Sequence, residues 1–571
     1  MCSSRDTHRG STSSVLDVLV VGAGPVGLTA AAELRRHGTR VRLVDRLPER
    51  LPYAKAVGIQ PRTLEVWDRM GCVRAALEAA VPLRGQLLYR DGVEQARIEL
   101  SLPDDVPYRF AALPQYETER ILEEFLARFG TRIERGTELA GFAQDEDGVT
   151  ARLVRAGSDG QPAEEEVRCR YLVGCDGAHS SVRKGLGLSF EGGAFPEEFM
   201  LGDVEVDWDL PAGYGVRSTR HGTDGAPDDV LVCIPLPGRG RYRVSMRVPP
   251  DGSAARRAEP AGDGVAHGLE GGGPGLADIQ AVLDRLSPRP VTASALRWSS
   301  VFRISHRLVD RYGRGRVFVA GDAAHIHPPT GAQGMNTGIQ DAFNLAWKLS
   351  LAAAGAAGPG LLASYDAERR PVGEEVVGRT VRHAKAGGVQ ADPEDRATLM
   401  LREAQLLVGY RGSPVVGLPD PAGDGAGPQP GDRAPDCAGL TAALTSYPLR
   451  LHDLLRDRGH VLLLYGDGTG DTEAAAGLAE LARQAHESTG GAVTACLLLP
   501  QDAAAAPGVP CAGAAPPPAP VYRDARGEFA LRYAVRGPTA FLVRPDGHLG
   551  ARLRPPGAEP LVAYLAGVFR G

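Results

Sequence analysis

The stretch at 321–349, GDAAHIHPPTGAQGMNTGIQDAFNLAWKL, holds residues for two kinds of chemistry side by side. His325 and His327 stand two apart, as metal ligands can, and a glycine-rich passage then leads into an apolar-periodic segment, as anion-binding helix starts do. A zinc or iron site needs a third and a fourth ligand. No other His/Cys/Asp cluster in the chain has ligand spacing, so no metal is expected, and one of the histidines is expected to hydrogen-bond the turn. A buried strand at 317–320 should deliver Gly321 and Asp322, and the helix should begin near Gly334. Ile339, Ala342, Leu345, Ala346 and Leu349 fall on its apolar side. The free N–H groups and positive dipole end of such a helix suit an anion.

A second anion cradle lies at GAGPVG. Gly22 permits the tight turn, Gly24 lets a pyrophosphate approach the backbone, and Gly27 lets helix and strand pack closely. Asp45 ends the next strand, where a carboxylate can take a ribose hydroxyl. This turn alone decides only for a dinucleotide, NAD or FAD. Two cofactor-facing segments about 300 residues apart argue for a large cofactor reaching both, which FAD fits better than NAD. Gly466, Gly468 and Gly470 also follow an apolar strand, but Asp471 stands where a third glycine belongs and would repel a phosphate. That stretch is read as a loop.

The elements that must position these residues follow from texture. Residues 15–46 read as strand, glycine turn, helix, strand, and further βα patterns continue to about 190. From about 190 to 300 the pattern alternates as in an antiparallel sheet with one buried face, broken by the Gly/Pro-rich segment 249–275, read as a mobile insertion. Dinucleotide-fold texture returns near 315, helices run to about 410, and a Gly/Pro/Asp-rich linker precedes a C-terminal unit. The net charge of −6 and the lack of a Lys/Arg block exclude a general nucleic-acid or anionic-membrane binder. The eight cysteines contain no C-x-x-C pair, so neither a disulfide framework nor a zinc ribbon is indicated, and a cytoplasmic location is expected. The polar N-terminus, 1–14, is expected to be disordered, and the apolar run after it, which contains Asp17 and three glycines and lacks a cleavage pattern, is expected to be neither signal peptide nor membrane anchor.

GAGPVG, CDGAHSSVRKGLG and the 321–349 stretch together resemble the three motifs of the class A flavoprotein aromatic hydroxylases. AVGIQPRTLEVWDRMG and LPQYETERILEEFL resemble the subgroup acting on phenols and polycyclic aromatic polyketides. With the C-terminal unit, the resemblance covers most of 15–571. It implies an α/β fold: a Rossmann-like FAD-binding domain at 15–190 and 296–410 with an inserted antiparallel-sheet substrate domain at 191–295. A linker at 411–430 and a thioredoxin-like domain at 431–571 lacking C-x-x-C would follow, the latter closing with a hairpin that turns at Pro545-Asp546-Gly547 after Pro538. This domain would brace the FAD domain or form a homodimer contact.

The resemblance also implies roles. Val26 would lie along the diphosphate of noncovalent FAD, and Asp45 and Arg46 would hold the adenosine ribose, where the family more often has Glu first. Lys55 stands where the subgroup has arginine, beside the diphosphate and the NADPH path; lysine keeps the charge and loses the planar fork. Gln115 would reach the ribityl chain, Leu139 would pack by the adenine, and Asp176 would serve both FAD and NADPH. Asp322 would bond the ribityl hydroxyls, and Gly334, Met335 and Asn336 would turn backbone N–H groups to the flavin N1–C2=O edge. The implied reaction uses NADPH or NADH and dioxygen, and a flavin C4a-hydroperoxide hydroxylates a phenolic or polycyclic aromatic substrate held between the 190–300 sheet and the flavin. No side chain is assigned as catalytic acid or base, because the cofactor performs the hard step. A hydroperoxide also attacks ketones, so a Baeyer–Villiger oxidation stays open, as does a non-catalytic flavoprotein. A halogenase is excluded: none of Trp67, Trp208, Trp298 and Trp347 has a second tryptophan two residues on.

Overall fold

The computed structural model describes residues 15–52, 56–156, 161–223, 227–248, 273–386, 388–389, 392–418, 425–445, 447–466, 468, 472–503 and 519–570. The expected disorder at 1–14, Lys55, Gly470, Asp471 and most of the insertion at 249–275 lie outside these residues.

Leu16–Val21 is buried along almost its whole length and has parallel neighbours on both sides, Val41–Val44 and Pro162–Gly174. A continuous apolar run is what a strand covered on both faces requires. The parallel order runs Val317–Val319, Pro162–Gly174, Leu16–Val21, Val41–Val44, Ile133–Glu134. Thr137–Gln144 and Val149–Ala156 fold antiparallel onto Pro162–Gly174. The first crossover is helix Pro25–Arg36, which starts on a proline whose φ is preset for it. It stops at Gly38, φ +82, where the Thr39 N–H reaches the Leu34 carbonyl at 3.0 Å in a Schellman closure.

A second sheet is built on two long antiparallel strands, Phe190–Val206 and Ala293–Val309. Alternation places Met200, Val204, Val244 and Met246 on one face, under helix Leu276–Leu286. This sheet reaches beyond 191–295. Gly85–Arg90 and Val93–Glu99 join it, the former parallel to Tyr214–His221, and His325–Ile326 edges it at the far end. The βα texture expected up to 190 therefore does not hold at 85–99. The signal was Asp91-Gly92, at φ 50 and 79, a two-residue hairpin turn that needs left-handed backbone at both positions.

The C-terminal unit is a six-stranded mixed sheet in the order Leu440–Ala442, Val521–Asp524, Val493–Pro500, His460–Tyr465, Thr539–Val543, Leu549–Leu553. Its last two strands form the expected hairpin. One face packs with helix Ala558–Val568 in a core shared with Trp347 and Leu361 of the preceding helical region. Helix Pro61–Met70 lies at this seam with every residue buried, although it carries Arg62, Glu65, Asp68 and Arg69. Glu368, Lys348 and Arg544 are also fully buried there, with Lys348 Nζ 2.7 Å from Glu368 and Arg544 bidentate to it at 2.7 and 2.8 Å. Burial opposes the Glu368 charge, yet Arg544 and Lys348 hold its carboxyl below the usual range. Among the described residues no helix is long and apolar enough to cross a membrane.

Candidate cofactor site

The glycine turn contains two different demands. Gly22 has φ +99, and a Cβ there would lie 2.4 Å from the Cys175 carbonyl oxygen; at Gly27 it would lie 1.8 Å from that of Gly22. Packing alone requires both. At Gly24 a Cβ would meet no protein atom within 4 Å, and the residue starts helix Pro25–Arg36 without any side-chain cap. The turn therefore holds an open cradle at a helix N-terminus, which fits a diphosphate. The Val26 side chain packs against the third motif. Cβ atoms at Gly321 (φ +61) and Gly338 would lie 2.8 and 2.7 Å from its Cγ2 methyl, so Val26 locks the first motif into the third.

The helix expected near Gly334 runs Gly334–Ala353, with Ile339, Ala342, Leu345, Ala346 and Leu349 all buried. Its start, at Gln333, also lacks a side-chain cap. The Asn336 side chain is spent inside the protein. It accepts from the Gln60 N–H at 2.9 Å and the Thr63 hydroxyl at 2.7 Å, and donates to the Gly58 and Ala332 carbonyls at 2.9 and 2.8 Å. What Asn336 has left for a ligand is its backbone. A network that sequence reasoning missed holds this start in place: Gln333 Nε2 donates to the Glu403 carbonyl and carboxylate, and Gln405 Nε2 donates to Gln333 Oε1 at 2.7 Å. Nothing local marks those residues. Asp322 follows the strand Val317–Val319 and is exposed, free to face a polar ligand.

No group of three or more His, Cys, Asp or Glu side chains placed to hold a metal ion occurs among the described residues. His325 Nε2 lies 2.7 Å from Asp341, which also takes Arg369 Nε at 2.7 Å and the Gly321 N–H at 3.1 Å. Burial works against the Asp341 charge, but Arg369 and His325 hold its carboxyl low. His327 Nδ1 donates to the Pro328 carbonyl at 2.9 Å, which is the turn contact expected for one of the two. Burial lowers its pKa to about 4, so the ring is neutral at pH 7.

The other expected residues border the same region. Asp45 is bound into the turn: it accepts from the Ala23 N–H at 2.6 Å and the Leu47 N–H at 2.8 Å. Arg46 is exposed, and Leu139 is buried in the strand facing Leu153. Gln115 opens helix Gln115–Ala127; its Oε1 accepts from the Ala56 N–H at 3.3 Å and its Nε2 donates to Glu119 at 2.9 Å. Glu119, not foreseen, is 8% exposed, and burial lifts its pKa to about 7. Asp176 caps helix Ser181–Gly185, accepting from the Ser181 and Val182 N–H groups at 2.7 and 3.1 Å and from the Ser180 hydroxyl. Burial raises its pKa. Between helix Gln115–Ala127 and the second sheet lies a cleft of about 940 Å³, lined by Arg50, Tyr116, Arg120, Arg135, Arg297 and Trp298 among others.

Comparison with known proteins agrees with this geometry. Residues 15–380 match the family model described as "FAD binding domain". The chain is 34% identical to 6-methylpretetramide 4-monooxygenase of Streptomyces rimosus, over 96% of this chain and 92% of that protein. Among solved structures, the flavin-dependent monooxygenase PieE in complex with FAD and substrate superposes with a TM-score of 0.75 at 26% identity, covering 97% of this chain and all of that one. Aklavinone-11 hydroxylase in a ternary complex with FAD and aklavinone gives 0.73 at 26% identity, covering 96% and 98%.

Proposed function

Because the chain belongs to the FAD binding domain family, we infer that it is a flavin-dependent monooxygenase hydroxylating a phenolic or polycyclic aromatic substrate of the polyketide type. One observation carries the reading: two helix starts without side-chain caps, at Gly24 and Gln333, belong to motifs that Val26 packs together. The first suits the FAD diphosphate, and the second the edge of the ring system that becomes negative on reduction, worth about 0.3–2 kcal/mol per such interaction. Bound FAD would supply hydride acceptance from NADPH or NADH and the activation of dioxygen. The protein's part is to hold and to exclude water. Gly22, Gly24 and Gly27 shape the cradle, Asp45 ties its far side, and Gln115 and Asp322 line the polar path between the two helix starts. Asp176 fixes the short helix behind the cradle, and the inner face of the second sheet presents the aromatic substrate.

The six-stranded C-terminal sheet supports a thioredoxin-like assignment for 431–571, and the division into a discontinuous FAD domain and a substrate sheet follows the same reading. Thiol exchange is not part of it. Cys437 and Cys496 are buried, and burial pushes both thiols up, against the activated thiolate that exchange needs. Sedimentation velocity decides whether the unit also forms the homodimer contact expected of it.

The decisive experiment uses isotope-labelled dioxygen with phenolic polycyclic compounds that accelerate NADPH oxidation. One labelled oxygen atom on a ring carbon is the expected product. Label inserted between a ketone carbon and its neighbour would transfer the reading to Baeyer–Villiger oxidation, and unlabelled product would end it.

A further inference from the structure

A hairpin turn ordinarily faces water. The turn at Pro545-Asp546-Gly547 does not: Arg544 is 0% and Asp546 2% exposed, and the two form an ion pair at 2.5 Å inside the molecule. The turn engages two helices at once. The Asp546 carboxylate accepts from Asn344 Nδ2 at 3.0 Å and Trp347 Nε1 at 3.4 Å, both on helix Gly334–Ala353. Its main chain faces helix Pro61–Met70. Arg62 Nη2 donates to the Asp546 carbonyl at 2.7 Å, and Arg69 donates to those of Pro545 and Arg544 at 2.8 and 3.1 Å.

The same two helices are joined again at the flavin end, where Thr63 and the Gln60 N–H bond Asn336. Arg62 and Thr63 are consecutive, and Asn344 lies about 12 Å along its helix from Asn336 at 1.5 Å per residue. The contacts thus close a ring: Asp546, Asn344, Asn336, Thr63, Arg62, Asp546. A rigid helix cannot slide or rotate at one point of such a ring without breaking a buried hydrogen bond at another, and a buried donor or acceptor left unmatched is costly.

We propose that Asp546 is a positioning residue for the flavin: by fixing helix Gly334–Ala353 against helix Pro61–Met70 it sets where the N–H groups of 334–336 meet the cofactor edge. The C-terminal unit is then a working part of the flavin site, although no atom of it need touch the flavin. This rests on the function proposed above.

The test uses the full-length protein loaded with FAD and reads the FAD dissociation constant and the midpoint potential of the bound flavin, beside Tm. Asp546→Ala is expected to weaken FAD binding about tenfold and to move the potential negative, because the reduced anion loses its aligned donors. Asp546→Asn, which keeps an acceptor toward Asn344, should recover part of both. Leu463→Ala removes buried volume from the core on the other side of the same C-terminal sheet; it should lower Tm and leave both flavin readouts in place. Should the Asp546 variants fail to fold, Thr63→Val opens the ring from the nucleotide side and should shift the potential in the same direction. An unchanged affinity and potential in folded Asp546→Ala or Thr63→Val overturns the proposal, as does a Leu463→Ala that moves them equally. A wild-type protein that takes up no FAD would instead overturn the functional reading beneath it.

Discussion

Replacing Glu119 with glutamine should make the protein more stable at alkaline pH and no more stable at acid pH. Glu119 is buried on helix Gln115–Ala127, and burial lifts its pKa from 4.5 to about 7 against the pull of Gln115, Arg135 and Arg50. Between those two values the folded protein keeps a proton that the unfolded chain has released. Stability therefore falls as pH rises through the window, and the loss is complete above about pH 7. At about 1.36 kcal/mol per pH unit, the rise corresponds to roughly 3 kcal/mol. Glutamine never ionises, and its Oε1 can still accept from Gln115 Nε2, which donates to Glu119 at 2.9 Å. Thermal melts of the flavin-free protein from pH 5 to 8.5 check this. Wild type and variant should lie closest near pH 5 and separate toward pH 8.5. For a folding unit of 150–250 residues that separation is roughly 5–10 °C in the first transition. Other groups titrate alike in both proteins and cancel in the difference. Two melting curves that stay parallel across the range would refute the buried, neutral Glu119.

Gly24→Val should fold, because a Cβ there meets no protein atom within 4 Å, yet hold far less than stoichiometric FAD; Gly27→Ala, whose Cβ would meet the Gly22 carbonyl, should lose the fold itself. Absorbance at 450 nm against circular dichroism separates the two outcomes, and stoichiometric FAD in folded Gly24→Val would refute the cradle. Lys55→Ala should weaken FAD affinity or raise KM for NADPH while leaving Tm nearly unchanged; unchanged binding and kinetics would make it an ordinary solvated lysine. Cys437→Ala combined with Cys496→Ala should leave turnover nearly unchanged, and a folded variant without hydroxylation would contradict the structural role of the C-terminal unit.

What the sequence disclosed was local. The glycine turn and the start at Gly334 are legible because positive φ, close backbone approach and helical periodicity each leave a mark within a few residues. The hairpin at 85–99 was missed although Asp91-Gly92 announces it, because its place in the second sheet depends on pairing with Tyr214–His221, more than a hundred residues on. Gln333, Gln405 and Glu403 were invisible for a related reason: three common polar residues become a buried network only when two helices bring them together. Asp45 was legible as the end of its strand, but not its bond to the Ala23 N–H, which depends on how the turn closes. The burial of the charged side chains of helix Pro61–Met70 depends on partners far along the chain, in part the C-terminal hairpin.

That covered helix has a consequence for how the protein is made. Arg62, paired locally with Glu65, gains a further partner 484 residues later in the chain, and Glu368, paired with Lys348, gains Arg544 176 residues later. At 5–20 residues per second, the ribosome delivers Arg544 about 10–35 s after Glu368 and Asp546 about 25–100 s after Arg62. Throughout that interval Arg62 has only Glu65 and Glu368 only its nearer partners such as Lys348, so the remaining buried hydrogen bonds of this seam close only when the last stretch of the message is read. Folding from the N-terminus, the usual course for a chain of several units, is here held open by its own far end. Premature stop codons anywhere before 546 should then yield chaperone substrates rather than a smaller yellow protein.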